Sequence, residues 1–325
     1  MFQMVEWVED DVPPMAALAI AIVAVSTSAI LIELSSAPSI IKAFYRVLFT
    51  TLLLAPLAVT RYRDDLNTFS RRDFFVAIIT GGALAAHFVA WFESLEWTTV
   101  AASVTLVQSQ PLFVAFGAWA LLDERVTRRT VIGIFIALVG MIAMSFGGLL
   151  SGNVVAGQRP LYGNGLAVIG AIAAAGYVLA GRSLRQRVSL VPYVTVVYGV
   201  CTAVLFVIAL TSDATIALTA YQPTEWLLFL GMAVGPGIFG HTVINWVLKY
   251  VESSVVSVSL LGEPVGSTLL ALFLLAEIPG IATVLGGLVV LGGIYVTSTA
   301  NGSTTDETDK SEPVEQSKQS EHSGQ

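Results

Sequence analysis

The chain has 325 residues, of which only 12% are charged and 55% hydrophobic, where a soluble domain carries about a quarter charged residues. That balance excludes a water-soluble domain and indicates an integral membrane protein. The formal net charge of −7 collects at the two ends, leaves the apolar body near neutral, and offers no basic face for nucleic acid.

Residues 1–14, MFQMVEWVEDDVPP, are acidic through Glu6, Glu9, Asp10 and Asp11. They lack the basic start and small-residue cleavage site of a signal peptide, so the first apolar segment is expected to be retained. A membrane-crossing helix needs roughly 20 apolar residues. Ten such stretches follow, near 15–33, 39–60, 74–93, 98–121, 130–150, 163–181, 190–211, 225–248, 253–275 and 280–299. Residues 300–325 carry six acids against Lys310 and Lys318 and have almost no large apolar side chains. Burial cannot offset the ordering entropy of such a segment, and it reads as a disordered tail. Acidic ends with twelve Arg against four Lys also fit a salt-loving host. The single Cys201 excludes a disulfide framework.

The chain repeats itself. Pro38 matches Pro192, Gly81 matches Gly235, Gly82 matches Pro236 and His87 matches His241, all 154 residues apart. After the loss of one residue, Pro111 matches Pro264, Glu124 matches Glu277, Gly133 matches Gly286 and Gly140 matches Gly293, 153 apart. Five segments fit in each half, and an odd number sends the second half into the bilayer from the opposite side. The expected fold is therefore an all-α integral membrane protein of ten transmembrane helices, built as two inverted five-helix repeats over 15–150 and 163–299. Carriers with this plan hold their substrate near the midplane, between the repeats. Eleven Lys and Arg flank the even-numbered loops (Arg61, Arg63, Arg71, Arg72, Arg125, Arg128, Arg129, Arg182, Arg185, Arg187, Lys249), against Arg159 alone in the odd-numbered ones. By the positive-inside rule both termini are cytoplasmic.

Ionisable groups inside a bilayer are costly and mark pathways or pairs. Lys42 and Arg46 are four apart and share a helical face, where they either line a site for a carboxylate or phosphate or, alternatively, Lys42 snorkels to the interface and Arg46 pairs with Glu33. Glu263, beside Pro264 in the ninth segment, is placed to hold a coupling proton or a substrate amine. Its alternative is a hydrogen bond to Ser259 or Ser267, and its repeat partner Gln110 cannot titrate. His87 with Trp91, and His241 with Asn245, are the expected cavity lining, and no further ligands for a metal are found beside them. Tyr45, Trp119, Tyr177, Tyr198 and Trp246 are candidate aromatic walls. Gly81, Gly82, Gly235 and Pro236, with Pro111 and Pro264, are candidate hinges. Gly133, Gly140, Gly147 and Gly148, with Gly286, Gly287, Gly292 and Gly293, form small-residue faces that either join the repeats or support a homodimer.

On these residues the chain resembles the drug/metabolite transporter superfamily, and within it the EamA-domain family with two repeats. Each half ends in that family's succession of a mid-segment Pro, an apolar run, an acid and spaced glycines. In the first half this is Pro111 through Leu121-Leu122-Asp123-Glu124 to Gly133 and Gly140. In the second it is Glu263-Pro264-Val265 through Leu274-Leu275-Ala276-Glu277 to Gly286 and Gly293. The family usually has Gly before each acid, whereas Asp123 and Ala276 stand there in this chain. The resemblance implies a ten-helix plasma-membrane carrier without cofactor, often an exporter of amino acids or related metabolites, in which Arg46 and Glu263 matter. An enzyme is not expected, since no His-Glu-x-x-His motif or pair of buried aspartates is present, and a channel or receptor has no need of an inverted repeat. The rival within transport is a proton-coupled exporter of drugs or quaternary ammonium cations centred on Glu263.

Overall fold

The computed structural model describes residues 12–67, 69–98, 100–150, 159–212, 216, 221–274, 276 and 278–300. The acidic start, Glu277 and the expected disordered tail lie outside the described residues. Among those described there are helices and no strands. Nine helices are at least 18 residues long and apolar enough to cross a membrane. They are α1 (Pro14–Leu34), α2 (Ser39–Arg61), α3 (Arg71–Trp97), α4 (Ala102–Leu121), α6 (Pro160–Arg185), α7 (Leu190–Thr211), α8 (Pro223–Val247), α9 (Ser253–Leu274) and α10 (Ile281–Ala300). A further long helix, α5 (Arg128–Leu150), lies between α4 and α6. The element ends fall within a few residues of the apolar stretches because prolines and hydroxyls start the helices: Pro14, Pro160 and Pro223 occupy first turns, where a missing N–H costs nothing, and the Ser70 hydroxyl accepts from the Asp73 N–H at 3.0 Å to open α3.

The packing between halves comes in exchanged pairs. Helix α1 packs on α8 as α6 packs on α3, α1 on α9 as α6 on α4, and α2 on α8 as α7 on α3, while α2 meets α7 and α5 meets α10. The most extensive of these contacts is α5 with α10, and glycine makes it possible. A methyl group on Gly140 would lie 2.6 Å from the Val290 nitrogen, and one on Gly293 would lie 2.5 Å from the Ala137 nitrogen. The backbones touch, so the Gly133, Gly140, Gly286 and Gly293 face joins the two halves inside the chain, while Gly292 faces open space.

Three helices are interrupted. Helix α4 is broken between Val107 and Gln110, and α9 between Ser259 and Gly262. Pro111 and Pro264 sit in the first turns after these breaks, so they begin the second half-helices and do not kink a continuous one. In α8, Ala233–Thr242 is π-helical; within it the Thr242 hydroxyl donates to the Gly237 oxygen at 3.1 Å, and the Thr50 hydroxyl of α2, which donates to the Arg46 carbonyl at 2.8 Å, lies 3.2 Å from the Ala233 oxygen. The expected twin hinge at Gly81–Gly82 does not appear as a break, because α3 is continuously helical from Arg71 to Trp97. Gly81 instead admits α7, where a methyl would lie 2.5 Å from the Val197 carbonyl oxygen. The proline explains the asymmetry: the second half has Pro236, with no N–H to donate, where the first has Gly82.

Asp123 and Ala276 both have φ of 55°, the left-handed conformation in which a Cβ is strained and glycine is favoured. Each ends a helix ahead of an acidic position, which accounts for the glycine usual there in the family. Ala276→Gly is expected to stabilise the protein by about 1 kcal/mol, read as a raised thermal transition in detergent. Gly140→Ala is expected to act in the opposite sense, by about 1–3 kcal/mol, since the Val290 backbone cannot swing aside.

Candidate functional site

Arg46 projects from the middle of α2 and is 8% exposed. Its guanidinium donates to the Ser28 hydroxyl of α1 at 3.2 Å and lies 5.3 Å from the centre of the Phe88 ring of α3, a cation–π distance. Its electrostatic neighbours are Glu263 of α9, Tyr177 of α6, and Tyr198 and Cys201 of α7. No carboxylate forms a salt bridge with it among the described residues. Glu33, the other partner considered from sequence, lines a separate crevice with α9.

Around this cation the aromatic and amide groups close a shell. The His87 ring meets the Gly170 carbonyl of α6 through Nδ1 at 3.0 Å and stacks on Trp91 at 5.9 Å. The His241 ring stands edge-on to Phe88 and to Tyr177, 6.3 Å from each. Asn245, fully buried, donates through its amide to the Tyr177 hydroxyl and to the His241 carbonyl at 2.7 Å. The Tyr198 hydroxyl lies 3.3 Å from the Thr242 hydroxyl. Two buried polar atoms here have no partner among the described residues, the Trp91 indole nitrogen and the Asn245 side-chain oxygen. Buried polar groups are normally paired, so this centre holds hydrogen-bonding capacity that the chain itself does not use.

Glu263 occupies the first turn of the second half of α9, where helix N–H groups favour an anion. Its carboxylate has no hydrogen-bond partner among the described residues. Ser267 is turned instead to the Ser26 carbonyl of α1, at 3.0 Å. The structure thus brings Arg46, Glu263, His87, Trp91, His241 and Asn245 to one region. Lys42 is directed elsewhere: its ammonium donates to the Ile32 carbonyl at 3.0 Å, capping the end of α1. Tyr45 belongs to another cluster, stacked 5.1 Å from Phe229, and Trp119 is 62% exposed on the outer surface of α4.

Two acid-centred clamps, not recognised from sequence, close the ends of the bundle. At the arginine-rich end, Glu124 accepts from Arg182 at 2.8 Å and from the Ser253 hydroxyl at 2.7 Å, while Arg182 also donates to the Leu248 and Lys249 carbonyls. Arg182, counted from sequence only as a topology charge, here satisfies the last carbonyls of α8. At the other end, Glu225 of α8 accepts from the Ser35 hydroxyl at 2.6 Å and from the Ser36 N–H at 2.8 Å. Its sequence signal was an acid in the first turn of an apolar helix, two residues after Pro223.

A bundle of apolar helices around a buried arginine, with unpaired polar atoms at its centre and both ends clamped, is the architecture of a multi-pass membrane transporter. The profile of the EamA-like transporter family matches residues 14–146 and 161–299, and the chain belongs to that family. Two uncharacterized transporters of Archaeoglobus fulgidus are similar, one 22% identical over 79% of this chain and 86% of its own length, the other 28% identical over 78% and 92%. The uncharacterized inner membrane transporter YhbE of Escherichia coli is 26% identical over 66% of this chain and 67% of its own. A crystal structure with 21% identity superposes with a TM-score of 0.74 over 90% of this chain and 98% of that one, a likeness of fold.

Asn245→Ala removes the donor to Tyr177 and His241 and is expected to destabilise the protein by about 1–3 kcal/mol, seen as a lowered thermal transition in detergent. Lys42→Ala is expected to change that transition by less than about 1 kcal/mol.

Proposed function

We propose that this chain is a secondary carrier that exports a small amino acid-like or anionic metabolite by alternating access. In this reading ten crossings form two inverted repeats, over 15–150 and 163–299, with both termini in the cytoplasm. The exchanged helix pairs, the equivalent breaks in α4 and α9 and the matched left-handed residues Asp123 and Ala276 support the two-repeat plan. The Glu124–Arg182 clamp then lies on the cytoplasmic side and the Glu225 clamp on the outer side.

The observation that carries the substrate class is the Arg46 guanidinium, buried with a hydroxyl and an aromatic face as its neighbours and, among the described residues, no carboxylate bonded to it. A buried cation in this setting is served by an anion that arrives and leaves, and a carboxylate matches its planar fork. Glu263, placed across from it, takes the substrate amine or the coupling proton. His87, Trp91, His241 and Asn245 line the space between. The π-helical stretch of α8 supplies backbone able to change register, and it carries His241 in its last turn. A quaternary ammonium exporter is less well served by this centre, because Arg46 repels the cargo. No homodimer is needed for the mechanism.

The test is efflux from proteoliposomes loaded with labelled amino acids or with quaternary ammonium compounds, with and without a proton gradient. Gradient-sensitive movement of an amino acid is expected, and Glu263→Gln is expected to abolish the response to the gradient. Movement of quaternary ammonium compounds alone overturns the reading.

A further inference from the structure

Away from the Arg46 centre, helices α1 and α9 part to leave a crevice of about 400 Å³, within the size range of small-molecule sites. Its walls are Ala29, Ile30 and Glu33 of α1, Ser267, Thr268 and Ala271 of α9, and Thr283 near the start of α10. On α1 the series Ser26, Ile30, Glu33 follows one helical face, and on α9 the series Glu263, Ser267, Ala271 does the same. The crevice therefore lies one to two turns from Glu263, on the side away from the Glu124 clamp.

The polar groups on the α1 and α9 walls of this crevice are acceptors, and the Thr283 hydroxyl of α10 can donate or accept. The Ser267 hydroxyl spends its hydrogen on the Ser26 carbonyl at 3.0 Å, and the Thr268 hydroxyl spends its own on the Pro264 carbonyl at 2.8 Å. Each is left with lone pairs only, and the Glu33 carboxylate is an acceptor when ionised. Glu33 is exposed and forms no salt bridge among the described residues. Lys42 is the nearby cation, but its ammonium is engaged by the Ile32 carbonyl and feels Glu225 more strongly than Glu33. A crevice with a carboxylate at its rim and acceptor oxygens on two walls favours a cation that can donate hydrogen bonds, and focuses its field on it.

The floor of the crevice is tight. The Ser26 hydroxyl donates to the Ile22 carbonyl at 2.7 Å and lies 3.1 Å from the Glu263 carbonyl, and a methyl group on Gly266 would lie 2.9 Å from the Ser26 Cβ. We infer that the crevice between α1, α9 and α10 is an outer vestibule that binds a protonated amine at Glu33, and that the Ser26–Gly266–Ser267 contact is the seal separating it from Glu263. The inference rests on the orientation and carrier role proposed above, since the vestibule is the station at which an amine-bearing cargo leaves.

The experiment reads charge selectivity and not transport. In a Cys201→Ser background, Ala271→Cys and Thr283→Cys are each introduced into the full chain, and intact cells are treated with membrane-impermeant methanethiosulfonates bearing either a trimethylammonium or a sulfonate group. With rates normalised to a free thiol, both cysteines are expected to react about tenfold faster with the cationic reagent, Glu33→Gln is expected to bring the two rates within about twofold, and millimolar ethylammonium is expected to slow the labelling. Absence of labelling from outside at both positions, or a charge preference untouched by Glu33→Gln, overturns the vestibule. Because no substrate is involved, selective labelling in a protein that exports no amino acid would uphold the vestibule while refuting the cargo, and the converse pair of results would do the reverse.

Discussion

A guanidinium held in the middle of an apolar helical bundle dominates this structure. Burying a cation without a bonded counter-ion costs several kcal/mol, and among the described residues Arg46 meets a serine hydroxyl and the face of Phe88, with Glu263 as its electrostatic neighbour. The helices around it contribute polar and aromatic groups: Ser28 from α1, Phe88 and His87 from α3, Tyr177 from α6, Tyr198 from α7, His241 from α8 and Glu263 from α9. Such convergence is hard to explain as packing, because an aliphatic side chain at residue 46 would pack without requiring any of it. It is readily explained if the remaining favourable interaction comes from a bound anion.

The two segments that match the EamA-like family supply the frame, and in the proposed carrier their differences supply the chemistry. Helices α5 and α10 are fastened backbone to backbone through Gly140 and Gly293 and form a rigid edge. Away from that edge the halves differ at telling points. Gly82 is replaced by Pro236, which turns an ordinary helix into a π-helical one beside the site. Gln110 is replaced by Glu263, which places a titratable group at only one of two equivalent half-helix starts. The clamps at the two ends differ too, an ion pair with Arg182 at one and hydroxyl and backbone donors on Glu225 at the other. Separate, chemically distinct closures at opposite ends suit a protein that opens one while holding the other.

Much of this fold was legible in the sequence, since apolar runs of about 20 residues and prolines at their starts fix where helices begin and end. The positions that gather at the centre were also visible, since Arg46, Glu263, His87 and His241 are expensive in lipid and stand out against an apolar background. What the sequence concealed was geometry. The four-residue spacing that places Lys42 and Arg46 on one face is silent about the Ile32 carbonyl that draws Lys42 away. Gly81 and Gly82 looked like the twin of Gly235 and Pro236, yet Gly81 serves the approach of α7. Arg182 and Glu225 carried no local signal of partnership, because Glu124 and Ser35 are far from them along the chain. The left-handed backbone at Asp123 and Ala276 was masked by the absence of the glycine that usually announces it.

The central claim, that Arg46 receives the carboxylate of the cargo, is most directly tested by measuring exchange of the transported amino acid in proteoliposomes for the unaltered protein, Arg46→Ala and Lys42→Ala. The account predicts a loss of about 100-fold or more with Arg46→Ala, equivalent to about 2.7 kcal/mol, and near-normal exchange with Lys42→Ala. Retained exchange in a folded Arg46→Ala protein would contradict it.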